Sequence, residues 1–301
     1  MSYDVRRMLL LAEVARHGSL TGAAAALSYT PSAVSQQVSR LEAEVGQPLV
    51  QRHARGVTLT EAGQVVVDHA ERIDRQLRSA ERALDDLAGL HHGTLRLGTF
   101  PTVSASLLPH VVRAFRTRHP GIELTVHSAR RARLLEMLES REIELSLMWD
   151  YPWRTVDEST HESVHLFDDP TALVVGATHP LAGRRTVDFA ELAEEQWIVR
   201  ADHPVAEVLT RSCRAAGYQP RIAYQAHDYQ EAQAVAAVGL GIALAPRCAL
   251  ASPREDIAVL EPGPNAPARR ILLTHLRDHP LTPAARAVTE VFAAVVATLQ
   301  P

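Results

Sequence analysis

TPSAVSQQVSRLEAEVG, Thr30 to Gly46, is the stretch around which the rest of the chain is arranged. Its spacing predicts one short helix with a defined start. Thr30 can cap the first free N–H groups with its hydroxyl. Pro31 follows at the first helical position, where a missing N–H costs nothing. Ala33, Val34, Val38, Leu41 and Val45 recur at helical spacing and form one apolar face. The other face carries Ser32, Ser35, Gln36, Ser39 and Arg40. Short hydrogen-bonding side chains with one cation suit a helix that lies against a polyanion and reads base edges. An amphipathic helix without that task more often carries Glu and Lys there.

The flanks extend the pattern. Asp4 to His17 places Val5, Met8, Leu9, Leu11, Ala12 and Ala15 on a helical period that Gly18 ends. Ser19 can cap the next, alanine-rich helix LTGAAAAL, and Ser28 to Thr30 turn into the third. Helix, short helix, tight turn, helix is the helix-turn-helix arrangement. QPLVQRHARGVTLT then reads as a two-stranded wing, with Arg52 and Arg55 near its tip for phosphate or minor-groove contact.

Composition narrows the function classes. The 301 residues leave room for two or three domains. A net charge of −4 excludes a uniformly basic nucleic-acid coat, so DNA binding must be confined to one region. All 31 basic residues are arginine, which excludes a Schiff-base, P-loop or kinase-type lysine. Cys213 and Cys248 are far apart and form no CxxC, which suits a reducing compartment. The start, MSYDVRRMLL, lacks signal-peptide character and no apolar run is long enough to span a bilayer. A cytoplasmic protein without membrane contact is expected.

The segment from Gly18 to Gly63, GSLTGAAAALSYTPSAVSQQVSRLEAEVGQPLVQRHARGVTLTEAG, resembles the winged helix-turn-helix of LysR-type transcriptional regulators. The pattern is long and gap-free. It departs from the family at Pro31, where Gln is frequent, and at Val50, where Phe is frequent. The resemblance implies double-stranded operator or promoter DNA as partner. It places the DNA contacts at Pro31, Ser32, Ser35, Gln36, Arg52 and Arg55, beside Arg40 on the same helix face.

A long helix follows Thr60. Val66, Ala70, Ile73, Leu77, Ala80, Leu84 and Leu87 alternate in steps of four and three, a heptad seam that predicts dimerisation. The resemblance implies the same use of this linker helix, and a tetramer built as a dimer of dimers, with RNA polymerase as a possible further contact.

Beyond His91–Gly93, which breaks that helix, strands and helices alternate: strand Leu95–Gly98, helix Ala105–Arg118, strand Ile122–His127, helix Ala132–Glu139, strand Ile143–Met148, then a second set. A mainly parallel α/β fold is expected, with too many strands for one sheet. GTLRLGTF, HPGIELTV, ATHPLAG and AAVGLGIALAP match strings of the same family, whose effector region resembles periplasmic binding proteins. The expected architecture is therefore multi-domain. A winged helix-turn-helix occupies 1–60 and a linker helix 61–90. A two-lobed α/β effector domain fills 91–301, with lobe I at 91–162 and 270–301 and lobe II at 163–269.

Ligands of open α/β sheets bind at the carboxyl ends of strands. Those ends give Thr99, Phe100, Thr102, Ser128, Trp149, Asp150 and Arg200 as the effector-site candidates. Family sites lie at the same ends, and the resemblance carries the role to Thr99, Thr102, Ser128, Trp149 and Arg200. Thr99 and Thr102 could donate to a ligand carboxylate, Arg200 could pair with it, and Trp149 could stack on an apolar body. A free Asp150 would instead favour an amine or hydroxyl. The effector is an unidentified small molecule.

No catalytic set, metal site or cofactor motif is expected. HESVH, His161 to His165, matches H-E-x-x-H as a string, but its flanks read as a strand, and a strand holds the two histidines too far apart for one metal. VGLGIAL lacks the GxGxxG spacing. A periplasmic-type binding protein would explain the lobes but not Ser19 to Thr60. An enzyme would need a catalytic constellation, and none is present.

Overall fold

The computed structural model describes residues 3–53, 56–87, 93–200, 203–263 and 266–299. They fall into two compact units, divided between the linker helix and the first strand of the α/β region.

The N-terminal unit is built from capped helices. Asp4 accepts from the Arg6 N–H and starts α1 (Val5–His17), and Ser19 accepts from the Gly22 N–H and starts α2 (Leu20–Leu27). Thr30 accepts from the Ala33 N–H and Pro31 opens α3 (Pro31–Val45), as the sequence predicts. Val34, Val38 and Leu41 are fully buried, with Ala33 and Val45 half-buried beside them. The wing is the antiparallel pair β1 (Val50–His53) and β2 (Gly56–Leu59). Glu42 of α3 fixes its root, because Oε1 accepts from the Leu49 and Val50 N–H groups at 2.9 and 3.3 Å. At Gly56, φ is +140° and a Cβ would lie 2.4 Å from the Gly18 carbonyl oxygen, so only glycine fits there.

Thr60 caps α4 (Glu61–Leu87) through the Gly63 N–H and also donates to the Pro48 carbonyl. The first half of the seam differs from the expected free dimer face. Val67 and Ala70 are buried in the N-terminal core, and Val66 and Ile73 pack against it. Leu77 and Ala80 are exposed. The side chains of Leu84 and Leu87 lie outside the described ones, as do His91 and His92. The core of the first unit therefore continues past the expected boundary at residue 60.

The second unit contains β3 (Gly93–Thr99), α5 (Pro101–Ser106), α6 (Leu108–Arg118), β4 (Ile122–Ser128), α7 (Arg131–Glu139), β5 (Leu145–Asp150) and β6 (His161–Asp169). It continues through β7 (Thr171–Gly176), β8 (Thr186–Val187), β9 (Gln196–Arg200), α8 (Pro204–Ala215), β10 (Arg221–Ala226), α9 (Tyr229–Ala237), β11 (Ile242–Pro246) and β12 (Ile257–Pro262). β13 (Arg269–Leu276) and α10 (Pro283–Leu299) follow. The helix expected over Ala105–Arg118 is two helices. Pro109 has no N–H for the Ala105 carbonyl, so the helical ladder restarts at Leu108.

Two sheets form two lobes. One has the order β4-β3-β5-β13-β6, the other β10-β9-β11-β7-β12-β8. They are mixed rather than mainly parallel: β13 runs antiparallel to β5 and β6, and β7 antiparallel to β11 and β12. All of β6 belongs to the first lobe, so the crossover falls after Asp169 and not at 163. The return crossover ends at Arg269, where β13 begins.

Candidate functional site

Two surfaces collect the residues singled out by sequence. On α3, Pro31, Ser32, Gln36, Ser39 and Arg40 are exposed, and Ser35 is half-buried. The Ser35 oxygen accepts from Arg52 Nη2 at 3.0 Å, and Thr30 and Ser32 hydroxyls lie 3.1 Å apart. The exposed polar stripe and the wing cation are thus one continuous surface. Arg55 lies outside the described residues. On the inner side of α3, Arg7 of α1 donates to Gln37 at 3.1 Å and pairs with Glu44. These links hold the polar stripe outward on a packed three-helix base.

The second surface lines a cavity of about 460 Å³ between the two lobes. Phe100, Thr102 and Trp149 reach it from the first lobe and Arg200 from the second, as the strand ends predict. Thr102 also accepts from Arg269 Nη2 at 2.7 Å. Three candidates fall elsewhere. Thr99 is fully buried and accepts from the Ser104 hydroxyl at 3.1 Å. Ser128 is exposed at the end of β4 and does not line the cavity, whereas Ala129 and Arg130 do. Asp150 lies behind the wall: its carboxylate accepts from the Val156 N–H at 2.9 Å and sits 3.7 Å from Arg131. Burial raises its pKa, opposed by Arg131. An engaged Asp150 does not present a free carboxylate to an amine.

Four polar lining residues were not legible as site residues: Arg130, Arg131, Arg154 and His203. Arg131 lies over the Trp149 ring at 5.3 Å, so one face of the expected stacking platform is already covered. Arg200 donates to the His227 carbonyl at 3.0 Å and lies over the Tyr229 ring. His203 caps α8, and its Nδ1 accepts from the Val205 N–H at 3.2 Å and faces the Tyr229 hydroxyl at 3.1 Å. Burial, then Arg200, Arg269 and Arg130, push its pKa down to about 2, so the ring is neutral. An Nδ1 that accepts from a backbone N–H leaves the single ring proton on Nε2.

Beneath the cavity, Arg269 is fully buried. It pairs with Asp169 at 2.7 Å, lies over Phe100 at 5.2 Å, and so joins the two crossover strands at the cavity floor.

The zinc-like string folds as strand β6. His161 is buried against Thr160, while the exposed His165 meets Asp168 at 2.9 Å. Among the described residues, no group of three or more His, Cys, Asp or Glu could hold a metal ion, and no helix is long and apolar enough to cross a membrane.

Comparison with known proteins gives the same division of the chain. Residues 5–64 match the family "Bacterial regulatory helix-turn-helix protein, lysR family", and residues 88–297 match "LysR substrate binding domain". The RuBisCO operon transcriptional regulator of Allochromatium vinosum is 37% identical over 202 residues, which span 67% of this chain and 65% of that one. The DNA-binding transcriptional dual regulator OxyR of Escherichia coli K12 is 29% identical over 92% of this chain and 91% of its own length. In fold, the chain is similar to full-length CbnR solved with its target DNA, with TM-score 0.72, 22% identity and coverage of 97% of this chain and 99% of that one. The chain belongs to the LysR family: it is a DNA-binding transcriptional regulator with a substrate-binding domain.

Proposed function

We propose that α3 enters the major groove of a double-stranded operator, with Ser32, Ser35, Gln36 and Arg40 facing the DNA. Pro31 has no side-chain donor, so base reading falls to its neighbours and to DNA shape. Arg52 and Arg55 hold the wing on the backbone or in the minor groove. The observation that carries this reading is the exposed polar stripe of α3, continuous with Arg52 through Ser35.

The protein acts as a homo-oligomer in the cytoplasm. Leu77 and Ala80, exposed on α4, belong to the seam of a dimer, and two dimers join on the DNA. A small-molecule effector in the interlobe cavity shifts lobe closure and re-spaces the reading heads, which changes DNA bending and polymerase access. No cofactor and no catalytic step belong to this function.

Footprinting on DNA upstream of the protein's own gene tests it. Gln36→Ala should lower operator affinity by about 1–3 kcal/mol while binding to random DNA stays unchanged. Intact selectivity in that variant would show that a different face reads the bases.

A further inference from the structure

The charges around the interlobe cavity do not balance. Among the described residues, thirteen line it; four of these are arginines and none is a carboxylate. Two acids that pair with arginines in or beneath this wall are already engaged. Asp150 is held by Arg131 and the Val156 N–H, and Asp169 by Arg269 and the Cys248 N–H. Each neutralises one arginine. Arg130, Arg154 and Arg200 remain. Arg200 has neutral partners, a carbonyl and an aromatic face, and the guanidinium groups of Arg130 and Arg154 meet no acid among the described residues. His203, inside this field, stays neutral.

Resting on the effector role proposed above, we infer that the cavity takes a small organic anion with at least two negative groups, carboxylate or phosphate. One group meets Arg130 and Arg154 of the first lobe. The other meets Arg200 of the second. Phe100, Leu135 and Trp149 offer apolar surface to the carbon skeleton between them.

Three reasons favour two groups over one. A ligand with one anionic group leaves the arginines of one lobe without a counter-charge. Guanidinium forks match carboxylate and phosphate oxygens in pairs, so each anionic group can occupy more than one arginine edge. The cations also sit on both lobes. A ligand charged at both ends gains its second contact only when the lobes approach, and that differential contact is what a closure equilibrium requires. A cationic ligand would meet the guanidinium charges of both lobes.

The test uses the full chain at constant ionic strength, with isothermal titration calorimetry and operator footprinting run in parallel. The probes with two anionic groups, termed dianions, are succinate, adipate and fructose 1,6-bisphosphate, which separate carboxylate from phosphate recognition. Acetate and inorganic phosphate probe single anionic groups, succinamide a neutral body, and putrescine a dication. At least one dianion should bind at least about tenfold tighter than the single-group, neutral and cationic probes. Arg154→Gln and Arg200→Gln should each weaken it about tenfold or more. Arg133→Gln, on the same helix as Arg131 but outside the cavity, should leave it unchanged.

Failure to bind any dianion, equal binding of succinamide or putrescine, or unchanged dianion affinity in the Arg154→Gln/Arg200→Gln double variant would overturn the anion assignment. The two levels separate cleanly. A neutral probe that binds and shifts the footprint removes the anion class and keeps the effector role. A dianion that binds through both arginines without moving the footprint keeps the anion site and removes the effector role.

Discussion

Arg52 in the wing donates from Nη2 to the hydroxyl oxygen of Ser35 in α3, 3.0 Å away. Arginine cannot accept, so the Ser35 hydrogen is left to donate outward. In the proposed docking of α3, Ser35 would meet DNA as a donor, toward a purine N7 or O6 or a phosphate oxygen. The same bond sets how far the wing stands from α3.

Ser35→Ala and Arg52→Ala should consequently be non-additive. Each alone weakens operator binding by about 1 kcal/mol, and the double variant falls short of the sum. Arg52→Ala should also reduce the slope of log affinity against log salt by about 1, because it removes the proposed phosphate contact. Fluorescence anisotropy across a salt series measures both quantities. Strict additivity would mean that the bond does not persist on DNA.

His203 gives the second unit an acid-sensitive term. Its folded pKa is lowered from 6.5 to about 2. Below pH 6.5 the unfolded chain gains a proton that the folded chain refuses, so stability is present near neutrality and lost as pH falls. The loss is about 2 kcal/mol between pH 7 and pH 5. His203→Asn keeps a helix-capping side chain and removes this term. Urea unfolding at the two pH values should show the wild type losing about 2 kcal/mol more than the variant.

Breaking the Arg269–Asp169 pair should be costly, since both side chains are only 1% exposed. Arg269→Met leaves a buried carboxylate with no counter-charge, held only by the Cys248 N–H and thiol, and should destabilise the second unit by about 3–5 kcal/mol. A surface pair such as Arg184–Glu191 provides the contrast: Arg184→Met should be near neutral in the same urea assay.

Neither cysteine is set up as a reactive thiolate. Burial raises the pKa of Cys213, and burial followed by Asp169 pushes Cys248 up to about 11. At pH 7.5 iodoacetamide should label the folded protein far more slowly than the urea-unfolded chain. Rapid labelling of Cys248 in the native state would contradict the packing around Asp169.

Where a feature depends on neighbours along the chain, sequence was enough to find it. The Thr30 cap, the Pro31 start and the Val34–Val38–Leu41 face are all set within one or two turns. The Thr60 cap and the strand over HESVH are equally local. Features that depend on sheet order were not legible. Whether Ser128 or Arg130 turns toward the cavity is decided after β4 ends, where the chain bends into α7. Asp150 looked available because its partners, Arg131 and Val156, come from other segments. The run SARRARL, Ser128 to Leu134, held the missing signal: three arginines at the mouth of a strand-to-helix turn. Pro109 likewise marked the split between α5 and α6.

The burial of Val67 and Ala70 beneath α1 has a practical corollary for grafting. A chimaera cut at residue 60, where the wing ends, would remove two side chains that complete the interior of the donor head. Their alanine-and-valine-sized footprint would be refilled by whatever helix the recipient supplies. A transplant that retains operator choice must carry α4 at least through Ile73, so that the donor's own first turns of linker arrive with it.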